Sequence, residues 1–282
     1  MSNMMTGLLG PTAGGIRVSG THFIRRTEFL FGLISFKQPY NIVGKAVDWA
    51  VHDNWHMFKQ RVKEDKGLKV NLYAAYAAPG LCKPLYKPND GGRPYTDNKT
   101  LARNSRYWEQ VDKRVRYAAA HGISVIIANT FVDQGITRKY PISTLRDDWT
   151  RTVQRYRKSS ALFFPLSEYD EHGSDGVNLG LELARVTNAN TQGPVSLHPI
   201  KSCGKHSGHV DFITHQGWSV ERINLDKRLG KPIIVVEDQK AGDDPGLKIA
   251  RFKQARALGV TYVFTGSHSG WSEAEKQFLR SL

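Results

Sequence analysis

The chain has 282 residues, 40% of them hydrophobic, enough to bury a full core and too many for a disordered segment. Its 40 Lys and Arg residues against 26 Asp and Glu leave a formal charge of +14, which implies a basic surface and attraction to polyanions such as acidic polysaccharide. Those basic residues are scattered through helical patterns and form no tail or arm, so nucleic acid is not the expected partner, and two cysteines exclude a disulfide framework or a zinc pattern.

Residues 1–14 are rich in Gly, Ser and Thr and predict an irregular segment. They lack a basic stretch followed by an apolar core, so no secretory signal is expected; the expected location is the cytoplasm, or outside the cell as part of a virion or other assembly. No apolar run reaches membrane-spanning length, so no membrane partner is expected. Ile16 to Ile24 alternates around Ser19-Gly20 and predicts a small hairpin. The continuous apolar run Phe29 to Phe36 predicts the first core strand. Asp53 is the expected cap of a helix with Trp55, Phe58 and Val62 on one face, ending near Gly67. Leu68 to Tyr76 predicts the second strand. The Pro-, Gly-, Lys- and Tyr-rich stretch 77–103 predicts a long functional loop. Asn104 or Ser105 opens the next helix, with Trp108, Val111, Val115 and Ala119 inward, before a third strand over Ile123 to Asn129. Leu145, Trp149, Val153 and Tyr156 mark a third helix.

The following stretch organises the rest. Leu162-Phe163-Phe164-Pro165-Leu166 is an apolar run of strand length that ends in Ser167-Glu168 and then in turn-forming residues. The same figure recurs in Pro232 to Val236, which ends in Glu237. Between them come a helix over Val177 to Asn188, a strand over Val195 to His198, an irregular unit over Pro199 to Val210, a strand over Asp211 to His215 and a helix over Val220 to Leu229. A helix over Gly246 to Leu258, a strand over Thr261 to Thr265 and a helix over Ser272 to Leu282 complete the series. Strands alternating with helices eight times predict an α/β fold, a single (β/α)8 TIM barrel over residues 15–282 with an N-terminal β-hairpin and an irregular unit between strands five and six. An open doubly wound sheet would carry a glycine-rich phosphate loop after its first strand, and Phe36 to Tyr40 is not one.

Barrel sites lie at the carboxyl ends of the strands. Those ends supply Glu168 and Glu237 as the expected catalytic pair, since two acids facing one cleft are the minimum equipment for acid/base or nucleophilic work on a glycosidic bond. Tyr73, Tyr76, Asn129, Ser167, His198, His215, Gln216, Trp218, His268 and Trp271 are the expected substrate-binding residues, with Trp218 and Trp271 as stacking platforms. His215 or Tyr73 is the expected donor to Glu237. The cluster Asp170, Glu171, His172 and Asp175 beside Glu168 has no recognised ligand spacing, so neither a metal nor a cofactor is expected. The oligomeric state is left open.

The order of elements resembles the clan A glycoside hydrolases. The likeness rests on the hairpin Gly15 to Ile24, on Tyr107 to Val111 with Ala119 to Val125, and on Lys231-Pro232-Ile233-Ile234-Val235-Val236-Glu237. Leu197-His198-Pro199 followed by His215-Gln216-Gly217 is similar to the apiosidase-like branch of these glycosidases. The resemblance implies that Glu168 is the general acid/base and Glu237 the nucleophile of a retaining hydrolase acting on a poly- or oligosaccharide, neutral or acidic. The chain departs from the family pattern at Ser167, where many members have Asn, and at His215 and Gln216, where many have a Tyr against the nucleophile. Those departures keep a second reading open: an inactive barrel serving as a carbohydrate-binding or structural component of a virus particle or surface assembly.

Overall fold

The computed structural model describes residues 41–47, 54–76, 88–128, 136–159, 161–171, 173–265 and 270–282. The segment 1–14, the hairpin Ile16 to Ile24, the run Phe29 to Phe36, and Asp53, Asn129, His172 and His268 lie outside the described residues. In chain order the elements are β1 (Val43–Ala46), α1 (Trp55–Gly67), β2 (Leu72–Tyr76), β3 (Tyr95–Asp97), β4 (Ala102–Arg103), α2 (Ser105–Ala120), β5 (Ser124–Ala128), α3 (Ile136–Lys139), α4 (Ile142–Tyr156) and β6 (Ala161–Phe164). There follow α5 (Gly173–Asn190), β7 (Ile213–Gln216), α6 (Val220–Lys227), β8 (Ile233–Val236), α7 (Pro245–Leu258), β9 (Thr261–Phe264) and α8 (Glu273–Arg280).

Seven parallel strands form one sheet in the order β6-β5-β2-β1-β9-β8-β7. The gap between its two edges is filled by Val195 to His198. The Phe163 amide donates to Pro194 O at 2.9 Å, the Ser196 amide to Phe163 O at 3.0 Å and the Asp211 amide to Val195 O at 2.7 Å. Phe163 pairs in parallel with Val195, and Ser167 with His198. This segment is the eighth stave of a (β/α)8 barrel, bonded too sparsely to form a regular strand. In the irregular unit, a 3-10 segment over Gly204–His209 stands where a crossover helix would lie. It is tied to α6 by Asp226, whose carboxylate accepts from the Ser202 hydroxyl and faces His215 Nε2 at 2.9 Å.

Side chains alternate along each strand between two cores. Leu72, Ile126, Leu162, Phe164, Phe212, Ile234, Val236 and Val263 fill the barrel. Val43, Tyr73, Val125, Phe163, Ile213, Val235, Tyr262 and Phe264 pack between sheet and helices. This parity decides which strand-end residues can reach the barrel mouth.

Among the described residues the first strand of the barrel is Val43–Ala46, paired with β2 and β9. Its sequence Val-Gly-Lys-Ala hides it, because Gly44 and Lys45 break the apolar pattern. Both have a physical reason. A Cβ on Gly44 would lie 2.7 Å from Val263 Cγ2, so the close approach of β1 to β9 requires glycine. Lys45 is buried, and its Nζ meets Asp65 Oδ1 of α1 at 2.8 Å and lies 4.5 Å from the Trp271 ring. Burial lowers the Lys45 pKa, and the Asp65 charge opposes that. Asp65 also accepts from Tyr73 Oη at 2.5 Å and Trp271 Nε1 at 2.5 Å.

Three further local expectations are corrected. The cap of α1 is Asn54, which accepts from the Met57 amide at 2.9 Å. The inward face of α2 carries Ala118 in place of Ala119. The described part of stretch 77–103 is no open loop: β3 and β4 form an antiparallel pair. That pair is stapled to α4 by the buried Asp148, which accepts from Tyr95 Oη at 2.7 Å and Arg103 Nε at 2.9 Å. No helix among the described residues is long and apolar enough to cross a membrane.

Removing the Asp65 carboxylate takes a carboxylate partner from a buried ammonium and an acceptor from the Tyr73 hydroxyl and the Trp271 indole. Asp65→Ala is therefore expected to lower the unfolding free energy by about 3–5 kcal/mol in urea denaturation. A loss below about 1 kcal/mol would show that the Lys45 cluster does not hold β1 in the barrel.

Candidate active site

Glu168 follows β6 by four residues, and Glu237 follows β8 directly. Both adopt left-handed backbone, with φ of 52° and 48°. For a residue with a side chain that conformation costs about 1–2 kcal/mol, and such strain collects where function requires it. The turns are held by the Glu171 amide donating to Glu168 O at 3.0 Å and the Gln239 amide to Glu237 O at 2.9 Å. The Gly217 amide also donates to Glu237 O at 3.2 Å, tying the turn after β8 to the end of β7.

Between the two acids stands Gln216, the last residue of β7, on the inward parity and buried. Its Nε2 donates to Glu168 Oε1 at 3.1 Å and to Glu237 Oε2 at 3.0 Å. Only the amide's nitrogen end can serve two carboxylate oxygens, which fixes its orientation. Because both oxygens lie about 3 Å from one nitrogen, they are no more than about 6 Å apart, near the spacing of a retaining pair.

His198, at the end of the eighth stave, lies 3.9 Å from Glu237 Oε2 through Nε2 and stacks on Phe164 with ring centroids 5.8 Å apart. It is 2% exposed. Burial pushes its pKa down to about 4, against the opposing charges of Glu168 and Asp170, so the imidazole is neutral at pH 7.

Glu168 and Glu237 border a cavity of about 350 Å³, whose lining includes Gln216, Trp218, Arg222 and Lys240. Asp238 also lines the cavity and is buried, with Arg251 Nε 3.5 Å from its Oδ2. The Arg251 guanidinium also lies 5.3 Å from the Trp218 ring and supports it from behind. Asp170 is engaged elsewhere, accepting from the Ile200 amide at 2.9 Å. Among the described residues no three His, Cys, Asp or Glu side chains converge as a metal-ligand set.

The structure brings together Glu168, Glu237, Gln216, His198 and Trp218. Four other expected binding residues do not line the cavity. Tyr73 is on the outward parity of β2 and donates to Asp65. His215 is on the outward parity of β7, faces Asp226 beneath α6, and has its pKa lowered by burial. Trp271 is buried against Phe264 and donates to Asp65. Gln216 donates to Glu237, while His215 and Tyr73 are turned toward Asp226 and Asp65. Ser167 is fully buried, paired through its backbone with His198, and does not line the cavity. Asn129, His268 and the side chain of Tyr76 lie outside the description. Arg222 and Lys240 were not singled out from the sequence. Their signal is position alone: Arg222 sits in the first turn of the helix after β7, and Lys240 in the loop after β8.

No family description and no curated protein matches the sequence. Solved structures do. A glycoside hydrolase family 5 protein from Bacteroides vulgatus superposes with a TM-score of 0.62 at 14% identity, over 79% of this chain and 58% of that one. A GH113 β-1,4-mannanase superposes with a TM-score of 0.60 at 11% identity, over 85% and 97% of the two chains. An endo-1,4-β-D-mannanase from Thermotoga petrophila gives 0.57 at 14% identity, over 85% and 98%. The chain thus spans little more than half the length of the Bacteroides protein and nearly all of the two mannanases. What is shared at such identities is the fold. The chain has a (β/α)8 barrel like theirs.

The neutral, buried His198 makes stability depend on pH in a defined direction. The unfolded imidazole takes up a proton near pH 6.5 and the folded one only near pH 4, so the stability it contributes is present above pH 6.5 and lost as pH falls toward 4. Chemical denaturation of the wild type and His198→Gln at pH 7 and pH 5 should show the wild type losing about 2 kcal/mol more between the two. Equal losses would mean that the folded imidazole titrates like the unfolded one, and a smaller loss in the wild type that it is held protonated.

Proposed function

We propose that the protein is a retaining glycoside hydrolase that cleaves a poly- or oligosaccharide with Glu237 as nucleophile and Glu168 as general acid/base. The observation that carries this is the single Gln216 amide nitrogen shared by the two carboxylates at 3.1 and 3.0 Å. It keeps them within reach of opposite sides of one glycosidic bond.

In the first step a Glu237 oxygen attacks the anomeric carbon while Glu168 gives its proton to the leaving oxygen, producing a covalent glycosyl-enzyme and a free alcohol. In the second, Glu168, now ionised, takes a proton from water as the water oxygen attacks the anomeric carbon and releases Glu237. Gln216 offers both acids a donor without adding charge, and neutral His198 presents no competing cation to Glu237. Trp218 gives the cavity an apolar wall for a sugar face. The two β-1,4-mannanases among the similar structures make β-1,4-linked mannans the first substrates to try.

A second reading has one observation in its favour. Ser167 is buried where many clan A members present an Asn to the sugar. A barrel without that contact fits a carbohydrate-binding component of a virus particle or surface assembly. The same assay separates the two. With a cleaved oligosaccharide, proton NMR of the first product should show retained anomeric configuration. Glu168→Gln should lower kcat by about 10²–10⁴ and Glu237→Gln by at least as much, with the folded state intact. Inverted product, or wild-type rates in both variants, would overturn the two-glutamate mechanism; binding without cleavage across the panel would leave the binding component.

A further inference from the structure

The cavity over the two acids is built asymmetrically. One wall comes from the loops after β7 and β8, adjacent strands in the sheet, and carries Trp218, Arg222 and Lys240. The rest of the lining comes from the loop after β6 and the segment after the eighth stave, and includes Glu171 and Ile200. Arg222 and Lys240 have no ion-pair partner among the described residues, although arginines elsewhere on the barrel, such as Arg103, Arg155 and Arg185, are paired. Asp238, which lines the same wall, is buried with its Oδ2 3.5 Å from Arg251 Nε. Two unpaired cations beside an aromatic platform are costly to gather unless an anion visits, since like charges on adjoining loops repel. The whole chain points the same way: a formal +14 draws negative polymers toward a hollow that contains acids.

From this arrangement we infer that Arg222 and Lys240 form an anion subsite, and that the glycan bound here carries carboxylate or sulfate groups on the sugar held against Trp218. The inference rests on the reading of the cavity as a sugar site. The aromatic ring takes the apolar face of the pyranose, and the two cations take its charged substituent, Arg222 with a planar fork suited to two oxygens and Lys240 as a point charge. A carboxylate and a sulfate ester offer the same chemistry to such a wall.

The test measures binding of a polyuronate and of a sulfated galactan, each beside its neutral form (carboxyl-reduced or desulfated). The proteins are the wild type, Arg222→Ala/Lys240→Ala, and Lys63→Ala/Arg116→Ala, which removes equal charge from the exposed faces of α1 and α2. Hydrolysis is followed in parallel. At least one acidic polymer should bind the wild type about tenfold more tightly than its neutral form. That preference should vanish in Arg222→Ala/Lys240→Ala and survive in the α1/α2 variant; whichever polymer shows it identifies the anion. Equal binding of acidic and neutral forms, equal losses in both variants, or no acidic polymer bound would overturn the subsite. Cleavage by the wild type with acidic and neutral forms bound equally would keep the hydrolase and discard the subsite. Acidic polymer bound through the two cations but never cut would keep the subsite and discard the hydrolase.

Discussion

One amide nitrogen holds the site together. Gln216 Nε2 sits about 3 Å from a carboxylate oxygen on each side, and everything that makes the pair usable concerns how that nitrogen reaches its place. Two carboxylates drawn close repel each other, and a neutral donor between them offsets part of that repulsion without committing either acid to an ion pair. Gln216 can stand there because β7 ends on the inward parity, with His215 one residue earlier turned the other way. A slip of one residue in the β7–β8 register would exchange them and place an imidazole at the mouth and an amide under α6. The register is held by Ile213 against Ile233 and Gln216 against Val236, and from behind by Asp226 facing His215.

Similar logic recurs around the barrel. Buried acids on the helices reach inward to hold strand residues and loops: Asp65 of α1 for Lys45 and Tyr73, Asp148 of α4 for Tyr95 and Arg103, Asp226 of α6 for His215 and Ser202. Each takes several donors, as a buried carboxylate must if its desolvation is to be offset. These networks lie between sheet and helices. They leave the barrel mouth to the side chains that emerge at strand ends, where Glu168 and Glu237 take up left-handed backbone.

The fold was legible in the sequence wherever a strand is a continuous apolar run, as in Leu162 to Phe164 and Ile233 to Val236. It was illegible where polarity is buried: Val43–Ala46 hides a strand because Lys45 is satisfied by a residue 20 positions away, which no local pattern reveals. The two glutamates could be singled out because an apolar run ending in an acid has few purely structural uses. Their neighbours could not be sorted in the same way. Tyr73, His215 and Trp271 sit near strand ends in sequence, yet strand parity and the partners Asp65 and Asp226 turn them toward the helices. Arg222 and Lys240 have no distinguishing pattern; only the closure of the loops after β7 and β8 puts them on one wall.

The central claim is that Glu237 attacks the anomeric carbon of the glycosidic bond whose oxygen Glu168 protonates. The most direct measurement is mass-spectrometric mapping of the protein after incubation with 2-deoxy-2-fluoro glycosides bearing a good leaving group. These reagents halt a retaining hydrolase at its covalent intermediate. The account requires one added sugar, esterified to Glu237, in the wild type, and none in Glu237→Gln. Labelling of Glu168 or of any residue outside the cavity, or turnover of a substrate with Glu237 never modified, would contradict it.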